Sequence, residues 1–442
     1  MLMAISIAPR LLEDCGMERY YPVRGDYTGF SRCCYGVALF RGASSLVSET
    51  AMRRIAPPLW LLALTVSGVN IGMALLAPAI PLLRDDLSAS ADEAQLVLSA
   101  FLIMLGLGQL VAGSMSDTLG RRPVLLAGSL LFTVAGAAAL ISPNIELLIV
   151  ARALQGFGAS ACMAVGRVII NDSFDKTEAG RQLSTITMIM AIVPMLGFAG
   201  GGLVADIIGW RGTVGIMVIT AGVIFLANMA LLAETNHNRV ARAPILTVVG
   251  VFYLLLRKRE FVVHATSGAL LTAAFFALGG FMPYEFQRLG ASATMIGLLF
   301  SITAFGYMSG NNLSRYMGPR LGLERTVFIG GMVSLAALVM LLALYLAGLA
   351  AVLVIAGCLY FFGVANGLVV ANSIICAVRA AGPNSGAATG LCGAMQMIGS
   401  AGFGSLIIAL GGDQNFLLAL GVVIFMSGMA ALASWMGARL PS

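Results

Sequence analysis

Twelve apolar blocks of membrane-crossing length leave this chain very few folds. The first six run Leu59 to Leu82, Gln95 to Ser116, Val124 to Ile141, Glu146 to Ile170, Leu183 to Ile207 and Thr213 to Leu232. The second six run Phe261 to Met282, Thr294 to Leu313, Val327 to Leu346, Ala351 to Ala377, Gly386 to Leu410 and Phe416 to Met436. A helix needs about 20 apolar residues to cross a hydrocarbon core near 30 Å thick, and backbone in lipid must satisfy its hydrogen bonds within the segment. The expected fold class is therefore an all-α membrane protein of twelve transmembrane helices. Composition agrees, with 59% hydrophobic and 10% charged residues and a mean hydropathy of +0.94, where a soluble domain carries about a quarter charged.

The charged connection from Ala233 to Phe261 divides six blocks from six. Expected domains are an irregular extension over 1–51, a six-helix bundle over 52–232, a cytoplasmic linker over 233–260 and a second six-helix bundle over 261–442. Two such pseudo-symmetric bundles place a site between them, near the membrane midplane. Within the linker, Ile245 to Leu256 is apolar but too short to span and is expected to lie along the inner membrane face. The extension lacks the sustained apolar run of a cleavable signal; either translation begins at Met52, where two Arg precede the first block, or the segment is a disordered arm.

The net charge of +6 divides unequally along the chain. With both termini cytoplasmic, seventeen basic residues from Arg53 onward fall in inner loops, and only Arg84, Arg211 and Arg288 in outer ones. This is the positive-inside pattern of a multi-pass cell inner (plasma) membrane protein, so the basic balance reports topology and not a nucleic-acid partner.

Absences narrow the function. No phosphate-binding G-x-x-x-x-G-K-[ST] sequence occurs, and the only lysines are Lys176 and Lys258, so ATP is not held by a P-loop. His237 and His264 are too few for a histidine metal site, and the seven Cys have no ligand spacing. Cys162, Cys358, Cys376 and Cys392 read as small buried apolar residues, while Cys15, Cys33 and Cys34 precede the first block. No cofactor, metal or enzyme chemistry is expected. Transport would be passive or driven by an ion gradient across the lipid bilayer, by a chain acting as a monomer on a small-molecule substrate.

The densest charge cluster is "GSMSDTLGRRPVLLAG", Gly113 to Gly128, between the second and third blocks. Gly120 permits a sharp reversal and Pro123 suits the first turn of the next helix. Asp117, Arg121 and Arg122 together could form a charge latch at the cytoplasmic side. A solvated turn would explain the Arg pair but not the acid and glycines. The loop after the eighth block, "GNNLSRYMGPRLGLER", is a weak echo that lacks the acid at that offset.

These residues resemble the loop motif of the major facilitator superfamily, roughly G-x-x-x-D-x-x-G-R-R/K. The flanking sequence is similar to the bicyclomycin/chloramphenicol resistance (Bcr/CflA-type) subfamily of drug:proton antiporters, with Ser114 and Thr118 in place of that subfamily's Pro and Arg. On the fourth block, Arg152, Gln155 and Gly156 match R-x-x-Q/G-G, and Arg167 with Asp172 match R-x-x-x-x-D at its inner end. Arg152 is the one charge deep in a span. Such a residue faces a cavity or a partner, or is held structurally on backbone carbonyls. The resemblance implies that it lines the central cavity and takes part in proton coupling or substrate response. It also implies that Arg167 and Asp172 pair with each other or with Asp117 in the inward gate.

On the fifth block, Pro194, Gly197, Gly201 and Gly202 resemble the antiporter motif, with Phe198 standing where a second Pro is expected. The glycines serve either coupling or close helix packing. The first block has Ala74 where many relatives carry an acid, and Asn70 one turn earlier is expected in the cavity. Asn366, Asn372 and Gln396 are amides at lipid depth that bond across helices or line the same cavity. Glu285 is either a proton-uptake site on the outer side or a surface anchor. The resemblance implies export of small amphipathic drugs or antibiotics by proton antiport with rocking bundles. An exporter of an endogenous metabolite, an uncoupled facilitator and a membrane sensor stand as alternatives.

Overall fold

The computed structural model describes residues 57–174, 176–236, 245–349 and 351–439. The expectations for residues 1–51, for Met52, for Cys15, Cys33 and Cys34, and for His237 lie outside the described residues. In chain order the helices are α1 (Leu59–Ala74), α2 (Ile80–Asp86), α3 (Ala91–Leu119), α4 (Arg121–Leu140), α5 (Ile145–Ser173), α6 (Lys176–Ile208) and α7 (Trp210–Leu231). The short α8 (Ile245–Arg257) precedes α9 (Arg259–Arg288), α10 (Ala293–Leu321), α11 (Leu323–Leu346), α12 (Val352–Ala381), α13 (Ser385–Ala409) and α14 (Phe416–Ala438). Among the described residues eleven spans are long and apolar enough to cross a membrane, α1 and α2 counting as one. The 33-residue α6, with its apolar part over Ile192–Ile208, supplies the twelfth.

Local chemistry sets the helix ends. Ser90 and Glu93 form a reciprocal capping box at the start of α3, and Asn144, Ser292 and Asn415 cap α5, α10 and α14 through their side chains. The first span breaks where Pro78 and Pro81 lack the N–H that a continuous ladder needs; a 3₁₀ turn over Ala77–Ala79 bridges α1 to α2. Gly120 (φ 108°, ψ 154°) and Gly322 (φ 86°, ψ 154°) make matching reversals after α3 and α10 in a region that side chains rarely adopt. The weak sequence echo is thus a shared backbone geometry.

Packing repeats in the same way. In the first half α1 packs on α5, α6 and α7, α3 packs on α5, and α4 packs on α5 and α7. In the second half α9 packs on α12, α13 and α14, α10 packs on α12, and α11 packs on α12 and α14. The halves meet through α3 against α13 and α6 against α10. We call the end with the Gly120 and Gly322 turns the basic end, and the end with Arg84, Arg211 and Arg288 the opposite end.

The seam is closed toward the opposite end. A Cβ on Gly202 would lie 2.2 Å from the Ala293 carbonyl oxygen, and one on Gly297 would lie 2.2 Å from that of Phe198, so α6 and α10 touch backbone to backbone. The Asp206 carboxylate accepts the Ala293 and Thr294 N–H groups at 3.1 and 2.8 Å, which caps α10 from the other half. On the second seam Ser99 Oγ lies 2.9 Å from Ser405 Oγ and donates to the Ala401 carbonyl at 3.3 Å. Toward the basic end, Gly113 on α3 and Gly386 and Gly390 on α13 have open space where a Cβ would stand.

The linker helix α8 has 13 residues and does not span. Leu255 packs with Phe261, Ala265 and Leu391, while Tyr253, Leu254 and Leu256 stay exposed.

Candidate functional site

Where the halves cross, a cavity of about 30 Å³ is walled by Phe101, Phe198, Phe275, Phe276 and Phe300 together with Met73, Gln95, Arg152 and Ser400. Phe198 stacks on Phe300 at 5.3 Å between centroids and meets Phe275 edge-on at 6.4 Å. The wall is therefore built from both halves. Drug-sized ligands need roughly 300 Å³ or more, so a substrate enters only when the halves move apart.

Arg152 is fully buried on α5. A Cβ on Gly156 would stand 2.2 Å from the Phe101 carbonyl oxygen, so this glycine lets α5 lie directly on α3 and brings the guanidinium 4.3 Å over the Phe101 ring. Nη1 donates to Gln155 Oε1 at 2.5 Å and lies 3.9 Å from Met217 Sδ. Nε and Nη2 have no partner, and neither has Gln95 Oε1. A buried charge with two unmet donors beside a cavity is costly unless a ligand completes it.

The other expected cavity residues lie elsewhere. Asn70 is partly buried on α1, whose Met73 reaches the cavity wall instead. Asn366 Nδ2 donates to the Phe362 carbonyl at 3.2 Å, and Asn372 Nδ2 to Ser314 Oγ at 2.7 Å near the basic end. Gln396 is buried near Gly268. None of the four lines the cavity.

At the basic end, Arg121 gathers the cluster. Its Nη1 pairs with Asp117 at 2.5 Å, its Nε with Asp172 at 2.9 Å, and Ser116 Oγ accepts at 2.7 Å. Arg122 instead donates to the Met229 carbonyl at 3.0 Å. Asp172 thus pairs with Arg121, while Arg167 lies toward Tyr307 on α10 of the other half. Glu234, just past α7, accepts the Arg121 and Arg122 backbone N–H groups at 2.9 and 3.3 Å. It supplies the cap that the Gly120 turn lacks. Burial works against the Glu234 charge, but N–H donors from Asn236, Arg121, Arg122 and Thr235 hold its carboxyl below the usual value.

On α6, Gly197 packs on Ala74, Gly201 on the Leu75 backbone and Gly202 on Ala293, while Pro194 lies inside the helix. The glycines of this segment are contact points with α1 and α10. Glu285 is 7% exposed, accepts the Tyr345 hydroxyl at 3.2 Å and lies 3.5 Å from Arg288. It is thus a buried group tied to Tyr345 and Arg288 at this end of the bundle, not a surface residue.

Residues 62–404 match the sequence pattern of the Major Facilitator Superfamily. The chain belongs to this superfamily. As a major facilitator protein it is a multi-pass membrane transporter. It is 29% identical over 402 residues to an uncharacterized MFS-type transporter, YdgK, of Bacillus subtilis, covering 89% of this chain and 97% of that one. It is 30% identical to a chloramphenicol resistance protein of Pseudomonas aeruginosa over 59% of this chain and 62% of that one. Multidrug resistance protein D of Escherichia coli matches at 29% over 55% of this chain and 61% of that one. Among solved structures, a D-xylose-proton symporter superposes with a TM-score of 0.68 at 17% identity, covering 87% of this chain and 98% of that one. This likeness shows the fold.

Sequence reasoning missed Glu234, Asp206 and the phenylalanine wall of this major facilitator protein. Glu234 had a signal, as an acid at the start of a basic inner connection. Phe198 had one too, as the residue at which the resemblance to the antiporter motif breaks. The remaining phenylalanines had none, since lipid-facing and cavity-facing Phe read alike.

Proposed function

We propose that this major facilitator transporter exports small amphipathic drugs or antibiotics from the cytoplasm across the inner membrane by proton antiport. The observation that carries the reading is the aromatic cavity at the crossing of the two halves, with the unmet donors of Arg152 beside it. The names of the resistance-protein relatives favour the same substrate class, and the antiporter-like glycines of α6 agree with the Bcr/CflA-type subfamily. The basic end faces the cytoplasm, as the charge distribution favours. Residues 52–232 and 261–442 rock as two bodies, joined by the 233–260 linker, within a monomer. Opening at the opposite end breaks the Asp206 cap and the glycine contacts; opening at the basic end leaves them intact. The Asp117, Arg121 and Asp172 cluster, with Arg122 and Glu234, steadies α3, α4 and α5 as one gate. Asn70, Asn366, Asn372 and Gln396, which lie off the closed cavity, come into contact with substrate when the halves move apart.

Among the described residues no carboxylate lines the cavity. Glu285, buried at the opposite end, is the acid best placed to exchange a proton. The missing cavity acid also favours a second reading, an uncoupled facilitator. Drug accumulation in cells with and without a protonophore decides. Expression should lower accumulation, a protonophore should restore it, and Glu285→Gln should remove the protonophore effect. Lowered accumulation that a protonophore leaves untouched assigns the chain to facilitation; unchanged accumulation of every amphipathic drug tested removes the export reading.

A further inference from the structure

The unpaired edge of Arg152 has a definite shape. Nη1 is taken by Gln155 and one face of the guanidinium by the Phe101 ring. The two unpartnered nitrogens, Nε and Nη2, are the pair whose N–H bonds run parallel along one side of the planar fork. Parallel donors of this kind match a planar pair of oxygens, as in a carboxylate or a nitro group, and match a single acceptor less well. The other unmet group at the cavity, Gln95 Oε1, is an acceptor and calls for an N–H or O–H. Phe198, Phe275 and Phe300 supply flat apolar surface alongside. Among the described residues no Asp or Glu lines this cavity, so a cationic substrate would meet the buried Arg152 charge with no carboxylate to offset it, and the ring faces alone are too weak to do so.

We infer that the substrate is an aromatic molecule carrying a planar two-oxygen acceptor, held by the Nε and Nη2 edge of Arg152, and that organic cations are excluded. The inference rests on reading this cavity as the transport site, and it adds the substrate's polar chemistry to that reading. It makes Arg152 a specificity-determining residue whose charge and fork geometry both matter.

The test measures calorimetric binding to the purified full-length chain in detergent with three probes on one ring system: naphthoate, nitronaphthalene and trimethylnaphthylammonium. The two oxygen-bearing probes should bind at least about tenfold more tightly than the cation. Naphthoate ahead of nitronaphthalene assigns the preference to charge, and parity assigns it to fork geometry; either supports the inference. Arg152→Lys, which keeps the charge and loses the fork, should weaken the favoured probe roughly tenfold with an unchanged melting temperature. Should that variant fail to fold, the wild-type ranking still decides. Equal binding of the cation, no binding of any probe, or wild-type affinity in Arg152→Lys overturns the inference. Export of cationic dyes from expressing cells would sink it while leaving the export reading intact. Correct ranking of the probes without any effect on cellular accumulation would remove the export reading instead.

Discussion

Phe198 and Phe300 stack across the seam between the two halves, their ring centroids 5.3 Å apart and their planes inclined by 28°. Phe198 stands where the resemblance to the antiporter motif leads one to expect a second proline, and that position is part of the cavity wall. The stack belongs to the state closed at the opposite end and breaks when α6 and α10 separate.

Phe198→Ala should therefore weaken both the wall and the closed state. Loss of the ring removes about 3 kcal/mol of burial and roughly 1 kcal/mol of aromatic contact. In membrane vesicles KM for an exported aromatic drug should rise several-fold, with a smaller change in kcat. Unchanged KM would take Phe198 out of the wall.

Gly202→Val should wedge the opposite end open. Its first added carbon would already overlap the Ala293 carbonyl oxygen, and that atom is backbone and cannot turn aside. Crosslinking reads the outcome. A cysteine pair at Asp206 and Thr294 should join readily in a wild-type background and several-fold less when Gly202→Val is added. The same substitution at Gly113, which faces open space, should leave the crosslink unchanged.

Arg121→Ala should cost far more than Asp117→Asn. Arg121 is 7% exposed and bridges two acids, so its removal strands a partly buried Asp172 and costs about 2–3 kcal/mol. Asp117 is half exposed and contributes about 1 kcal/mol or less. Melting temperatures of the purified variants should rank in that order, and Asp117→Asn should still slow transport through the gate.

Glu234 ties acidity to stability. Its carboxyl titrates lower in the folded chain than its ordinary value of 4.5, so its contribution is fully present above that value. It is lost as pH falls through the lower folded value. Glu234→Gln should lower the melting temperature at neutral pH and flatten part of its decline below about pH 4.5. Parallel pH curves for the variant and wild type would remove Glu234 from the cap.

The membrane architecture was legible because lipid imposes one length and one polarity on every span, and the twelve apolar blocks correspond to twelve helical spans. The Gly113 to Gly128 turn was legible because charge is rare here and stands out. Arg152 was legible for the same reason. Gln155, one turn away on the same helix, stood out with it; Phe101 did not, because it is brought beneath the guanidinium only by the Gly156 contact. Asn366 and Asn372 misled in the opposite sense. An amide at lipid depth must find a partner, and each found one, a backbone carbonyl on its own helix and, for Asn372, also Ser314, without reaching the cavity. The resemblance implied that Arg167 and Asp172 pair with each other or with Asp117, but Arg121 on the preceding helix is the donor that reaches Asp172.

The correspondence of packing between the halves reaches the seam itself. The second span of the first half meets the fifth of the second, and the fifth span of the first half meets the second of the other. This reciprocity is what a two-fold dimer of identical six-span subunits makes of necessity, each presenting the same two helices to its mate. The two halves therefore meet as the two subunits of such a dimer would. They differ at the matching position: the fourth span of the first carries Arg152, and the fourth span of the second carries the amides Asn366 and Asn372.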